Sequence, residues 1–305
     1  MKNNPLVSIL IPTYNRATYI SSALDSALAQ TYPNLEIIVH DDASSDNTKE
    51  VLSGYHDPRL RVIRTEDNHG MIGGWNYIVK KARGEYIKFL ASDDLLEPTC
   101  VAELVSSALA HPNSAIITCQ RKFINEHGRV VKQMGFANKS VVVDGIQHAR
   151  WILTTLRENK IGEPTAVLYP RKLAGLPAGA GAKAGVYDPQ FSQFADFEYW
   201  IRLLQFGELV YVHKPLCSFR VHEGSNTCTA IRDGRFITEI FALLRKYYDS
   251  PDYATTFSLT PADRAHVTKI KTLDTLKNIK DLFIRGDLST ARRYFTRLLR
   301  ALLAR

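Results

Sequence analysis

Hydrophobic positions in the first 120 residues alternate between two spacings. Residues 7–11 form a short, β-branched, mostly apolar run that stops at Pro12, the pattern of a buried strand. Residues 17–30 then place apolar side chains at 20, 23, 24, 27 and 28, the stripe of an amphipathic helix. Further strands are predicted at 35–40, 60–64, 85–90 and 115–119. Helices are predicted from the Asp46 cap to Gly54, over 71–82 and over 97–110. Such alternation predicts a parallel α/β sheet with right-handed crossovers, whose ligands bind beyond the carboxyl ends of the strands. After residue 120 the rhythm changes. Residues 121–145 predict extended segments, 147–157 and 196–206 helices, 209–212 a strand, and the chain beyond about 230 is mostly helical. The glycine-rich stretch 175–185 has too little apolar bulk to pack and predicts a mobile loop. The pattern contains no internal repeat.

Acidic residues stand at informative places in this pattern. Asp41-Asp42 closes the second strand, Asp93-Asp94 closes the fourth, and Asp196 and Glu198 open a later helix. A carboxylate at the carboxyl end of a strand faces the ligand crevice. Adjacent aspartates on extended backbone cannot both face one ligand, so each pair divides into a ligand contact and a loop support.

Five segments in order, VSILIPTYNR (7–16), HDDASSDNT (40–48), NHGMIGGWN (68–76), GEYIKFLASDDLLEP (84–98) and FADFEYWIRL (194–203), resemble the family 2 glycosyltransferases of the GT-A fold, in particular bacterial surface-polysaccharide members. The likeness runs from residue 6 to about 227. It implies a Rossmann-like, parallel-dominated nucleotide-binding sheet with a C-terminal helical extension. The boundaries expected are 1–120 for the nucleotide-sugar half, 121–228 for the acceptor half and 229–305 for the extension.

The resemblance also implies roles. Pro12, Thr13, Tyr14 and Asn15 would line the nucleotide, and Asp42 would accept the imide N–H of uracil or thymine, with Asp41 supporting its loop. Asn68 would shape the wall beside the ribose, with Gly70 and Asn76 toward the sugar. Asp93 would contact ribose or donor sugar, and Asp94 with His222 would hold Mn²⁺ or Mg²⁺. Arg220 would meet the diphosphate, and Ser225 would donate to a phosphate. Glu163 and Pro164 would face the acceptor. Asp196 would be the base of an inverting transfer from a UDP- or dTDP-sugar to a glycan or lipid-linked saccharide, with Glu198 the fallback.

Composition narrows the remaining classes. With 45% hydrophobic and 23% charged residues in 305, the chain is neither disordered nor fibrous. It contains no apolar run of 18 residues, and its N-terminus lacks the pattern of a signal peptide. Four cysteines without ligand spacing predict reduced thiols and a cytoplasmic setting. The net charge of +8 lies wholly in residues 264–305, which hold eleven Lys or Arg against three Asp. A nucleic-acid-binding protein would carry positive charge on its body as well, so no nucleic-acid partner is expected. A sugar nucleotidyltransferase would carry a glycine-rich basic loop where this chain has Pro12–Arg16. Residues 288–303 combine a helical apolar stripe with arginines. Two placements stay open for that helix: packed on the body or in a dimer, or lying on an anionic membrane surface at the inner face of the cell membrane. Oligomeric state is not legible in the sequence.

Overall fold

A computed structural model of the chain describes residues 4–157, 159–174, 184–224 and 226–304, of which 226–228 by backbone alone. Ser225 and most of the glycine-rich stretch, 175–183, lie outside the described residues. The elements run β1 (Val7–Thr13), α1 (Ile20–Leu28), β2 (Leu35–Asp41), α2 (Thr48–Ser53), β3 (Leu60–Arg64), α3 (Gly70–Val79), β4 (Tyr86–Phe89), β5 (Leu95–Leu96) and α4 (Cys100–Ala110). Then come β6 (Ser114–Ile124), β7 (Val130–Met134), β8 (Val141–Val143), α5 (Gly145–Thr155), β9 (Val167–Pro170), α6 (Ala195–Leu203) and β10 (Glu208–Arg220). Helices α7 (Asn226–Asp233), α8 (Arg235–Tyr248), α9 (Pro251–Thr256), α10 (Pro261–Ile284) and α11 (Leu288–Leu303) complete the chain.

The strands form one sheet in the order β3-β2-β1-β4-β9-β6-β10-β5, with β7 on β6 and β8 on β10. Pairs β1–β2, β2–β3, β1–β4 and β6–β10 are parallel. Strand β9 inserts antiparallel between β4 and β6, so the five expected strands still point one way. Strands β1 and β2 are buried nearly throughout because helices cover both faces of the sheet, which is why they are apolar runs and not alternating ones.

Two differences from the sequence pattern matter for the site. Strand β10 continues from Glu208 to Arg220, well past the expected 209–212. Pro215 is tolerated inside it because register shifts interrupt the ladder on both sides of that residue. Arg220 therefore ends a strand beside Ile124 of β6. The sheet also runs through residue 120 inside β6 without a break.

Each face of the sheet has its own core. One gathers α1 and α4 through Ile20, Leu24 and Leu104. The other joins α5 and α6 to the C-terminal helices through Trp200, Phe241, Tyr247, Val267 and Leu298. The C-terminal helices thus extend the same core that carries α6. Truncating Leu298 to Ala should cost about 2–4 kcal/mol, because it empties a filled site 3% exposed. Leu299→Ala, one residue on and 43% exposed, should stay within about 0.5 kcal/mol. Denaturant melts of the two variants check the contrast.

Candidate active site

A cavity of about 470 Å³ opens at the carboxyl ends of β1, β2 and β4. Pro12, Thr13, Tyr14, Asp42, Asn68 and Gly70 form part of its wall, together with Asp93, Asp94, Glu163, Pro164, Asp196 and Arg220. Thus twelve of the residues picked out in the sequence converge on one space. Asn15, Asn76, Glu198 and His222 are not in that wall.

The β2 end divides its two carboxylates. Asp41 turns into the protein, where Oδ1 accepts from Ser44 N at 3.0 Å and Oδ2 pairs with Arg64. Asp42 turns to the cavity. His69 N donates to its Oδ1 and Oδ2 at 2.9 and 3.1 Å, and His69 Nδ1 lies 2.9 Å from Oδ1. Oδ1 is the crowded oxygen, since Thr65 Oγ1 also reaches it at 3.4 Å. His40 Nε2 lies 3.8 Å from the same atom. His40, Asp42 and His69 offer ligand atoms within 4.8 Å of one another, a trio with no counterpart among the described residues. Burial first, and His69 beside it, hold the His40 imidazole below its ordinary pKa despite the nearby Asp42.

Gly70 adopts φ 72°, a conformation that costs glycine nothing, and a Cβ there would meet no atom within 4 Å. Asn68 Oδ1 accepts from Gly70 N at 2.7 Å, which sets the start of α3. Asn76 on α3 is bonded within the protein. Its amide exchanges two 2.8 Å bonds with the backbone N and O of Tyr187, pinning the 184–190 segment. Asn15 is likewise spent inside the protein: its Oδ1 accepts from Ser45 N at 2.8 Å and ties the loop after β1 to the loop after β2.

The β4 end places Asp93 and Asp94 in different surroundings. Asp94 is buried, and both of its oxygens are occupied. Oδ2 accepts from Thr165 Oγ1 at 2.6 Å and Oδ1 from Arg220 N at 2.8 Å. Burial, and then the charge of Asp93, push its carboxyl well above the ordinary range. Asp93 is the more open of the two, and its Oδ2 lies 3.0 Å from His222 Nε2 and 3.8 Å from Arg16 Nε. The Arg220 guanidinium donates to the carbonyls of Asp93, Asn125 and Glu126, so most of its donors are used to fix the end of β10.

Asp196 opens α6. Its Oδ1 accepts from Phe197 N at 2.8 Å and its Oδ2 from Asn159 Nδ2 at 3.3 Å. Burial, and then the nearby Glu163 carboxylate, raise its pKa to about 7, against the backbone N–H groups and Arg121, which lower it. Glu163 itself pairs with Arg121, a buried side chain of β6. Glu198 points away from the cavity. It accepts from Arg202 at 2.7 Å through both oxygens, with Lys246 Nζ at 2.7 Å and the Tyr247 hydroxyl at 3.1 Å. A carboxylate so enclosed is part of the core and does not reach the cavity.

One contributor is not legible in the sequence. Glu239 of α8 accepts from Ser192 N, Gln193 N and Phe194 N at 3.1, 2.8 and 2.9 Å, and from Ser192 Oγ at 2.7 Å. That carboxylate satisfies three successive backbone donors just before α6, where Ser192 and Gln193 belong to the cavity wall. Only the fold brings it there, across more than 40 residues.

The family model for glycosyl transferase family 2 matches residues 8–174. The chain belongs to that family. Among curated relatives, a chondroitin synthase of Pasteurella multocida is 29% identical over 73% of this chain, which spans only 21% of that protein. Among solved structures, S. aureus TarS 1–349 in complex with UDP-GlcNAc has a TM-score of 0.62 and 18% identity, covering 96% of this chain and 90% of that one. The mannosyltransferase of Pyrobaculum calidifontis in complex with GDP-Man and Mn²⁺ has a TM-score of 0.58 and 18% identity, covering 99% and 88%. At these identities the two structures establish a shared fold.

Because Glu239 fixes the backbone just ahead of α6, Glu239→Gln should loosen the Ser192–Gln193 edge of the cavity and slow transfer. An amide offers one acceptor where the carboxylate offers two, so stability should fall by about 1–3 kcal/mol. Faster amide hydrogen exchange at residues 192–194, read beside a melt, checks the cause.

Proposed function

We propose that this glycosyltransferase moves a sugar from a UDP- or dTDP-sugar to a hydroxyl of a glycan or lipid-linked saccharide, with inversion at the anomeric carbon. The observation that carries the reading is Asp196, a cavity-wall carboxylate whose pKa of about 7 suits a general base. Asp196 takes the proton of the acceptor hydroxyl as that oxygen attacks. Glu163 keeps the base from being too weak, and Asn159 fixes its orientation. The chondroitin synthase relative supports a saccharide acceptor, and the fold shared with a UDP-GlcNAc complex supports a nucleotide-sugar donor.

Asp42 favours uracil or thymine on geometry. Its Oδ1 is crowded, which leaves Oδ2 as the oxygen with room for a donor. One imide N–H suits one acceptor, whereas guanine presents two donors side by side. His40 and His69 then serve to hold Asp42 in place, in preference to holding an ion. The contrary indication is the GDP-Man complex of the mannosyltransferase with the same fold.

A divalent cation fits the β4 end. Asp93 and His222 offer an oxygen and a nitrogen 3.0 Å apart, a mixed set that suits Mn²⁺, with Arg16 close by. Few protein ligands are needed when substrate phosphates complete the shell. When bound there, the ion compensates charge that develops on the leaving diphosphate. Asp94, with both oxygens engaged inside the protein, is assigned to holding β10 and the Glu163–Thr165 loop.

Calorimetry with UDP, dTDP and GDP in Mn²⁺ and in EDTA tests the donor. UDP or dTDP should bind tighter than GDP, and Asp93→Ala should erase the difference that Mn²⁺ makes. Equal binding of UDP by parent and variant in both conditions overturns the cation site. For the base, Asp196→Asn should bind donor normally and transfer about 10²-fold or more slowly. The acid limb of kcat/KM should fall off below pH 7, where the base becomes protonated. Glu163→Gln removes a negative neighbour, lowers the pKa of Asp196 and should move that limb to lower pH. An unmoved limb would exclude Asp196 as the titrating group.

A further inference from the structure

Helix α11 carries two apolar stripes. Ala291, Tyr294, Leu298 and Ala301 are buried, placing the helix against α8 and α10. Leu288, Phe295, Leu299, Leu302 and Leu303 follow the same helical spacing about a third of a turn round, and all five are exposed, Leu303 by 77%. Helix α10 repeats the arrangement. Its Val267 and Thr275 are buried, while Leu273, Leu276, Phe283 and Ile284 are exposed, Phe283 by 67% and Ile284 by 69%. Packing on the body therefore uses one stripe of each helix and leaves another uncovered. Nine large apolar side chains on two consecutive helices exceed the scatter of single exposed residues normal for a soluble surface.

The charges around these stripes are predominantly positive, with Asp274 and Asp287 the exposed acidic residues among them. Lys269, Lys277, Lys280, Arg285, Arg292 and Arg300 are exposed on the same two helices and the turn between them. Helix α11 contains no acidic residue, and of the three aspartates in α10, Asp263 serves the N-terminal cap and Asp274 pairs with Lys271. A second copy of this surface would bring like charges together, whereas an anionic surface would complement them. No helix among the described residues is long and apolar enough to cross a membrane, so these helices can lie on a bilayer but not span it.

We infer that the exposed face of α10 and α11 docks on the surface of an anionic phospholipid bilayer. The leucines and phenylalanines enter the headgroup–acyl boundary, and the lysines and arginines meet the lipid phosphates. The inference stands apart from the donor and base assignments, because its test reads binding and not transfer.

The test is co-sedimentation of the full chain with equimolar phosphatidylcholine–phosphatidylglycerol vesicles and with pure phosphatidylcholine vesicles. The parent should bind the anionic vesicles more tightly. Salt should weaken that binding without abolishing it, since only the charge contribution is screened. Leu299→Ser with Leu302→Ser should weaken binding to both vesicles by about tenfold or more. Arg292→Gln with Arg300→Gln should weaken binding to the anionic vesicles alone. Both pairs are exposed, so melting temperatures should match the parent, which separates lost docking from lost folding. Parent-like binding by both double variants overturns the inference, as does absence of binding to anionic vesicles. It is also overturned if the parent elutes as a dimer that the leucine pair dissociates while vesicle binding stays unchanged, because the face would then join two copies of the chain.

Discussion

Thr165 is the point from which the site hangs. Its hydroxyl donates to Asp94 and accepts from Ala91 N, while its carbonyl takes the buried ammonium of Lys88. Asp94 passes the connection on to Arg220 N. One chain of bonds therefore joins the end of β4, the loop before β9 and the end of β10. Lys88, Asp94, Thr165 and Arg220 are buried, where an unmade hydrogen bond costs more than a made one contributes. The node is thus a condition for closing the sheet at that end, and the wall residues Asp93, Glu163, Pro164 and Arg220 inherit their positions from it.

The same node explains why Asp93 and Asp94 differ in their surroundings. Two carboxylates side by side in a poorly solvated corner repel each other. The arrangement relieves this by burying one among donors and leaving the other near cations and an imidazole. The burden falls on the inner residue, whose carboxyl is pushed up, and the outer one stands beside His222 and Arg16 at the cavity wall. Asp41 and Asp42 follow the same division at β2, with the inner carboxylate paired to Arg64.

Much of the fold was legible because its signal is local. Strands β1 to β4 and β6, and helices α1, α3 and α4, announce themselves by period, and their co-directional order follows from the crossovers. Strand β9 is only four residues long, and β10 contains a proline and three register shifts, so neither has a clean period to detect. The site was legible in its chemistry but not in its allegiances. Asn15, Asn76 and Glu198 all belong to motifs that mark the cavity, yet each is satisfied by protein atoms and stays out of the wall. Glu198 pairs locally with Arg202, but its other partners, Lys246 and Tyr247, lie 48 and 49 positions away and that of Asn76 lies 111 away, separations no local pattern encodes. The basic helix shows the same limit: the sequence contained both apolar stripes, but only packing tells which one is already covered.

The Glu239 clamp also bears on how the chain acquires its activity during synthesis. On a ribosome, the segment containing every motif of the family emerges before α8 does. Until residue 239 is free to fold back, three consecutive backbone donors ahead of α6 lack their acceptor. The β1 to β4 part of the sheet can settle early from near neighbours in sequence, as contacts of short separation form fastest. The backbone at residues 192–194 has to wait for a distant helix. The edge of the cavity formed by Ser192 and Gln193 therefore reaches its final bonding only once α8 has folded back, so the cavity is completed late in synthesis.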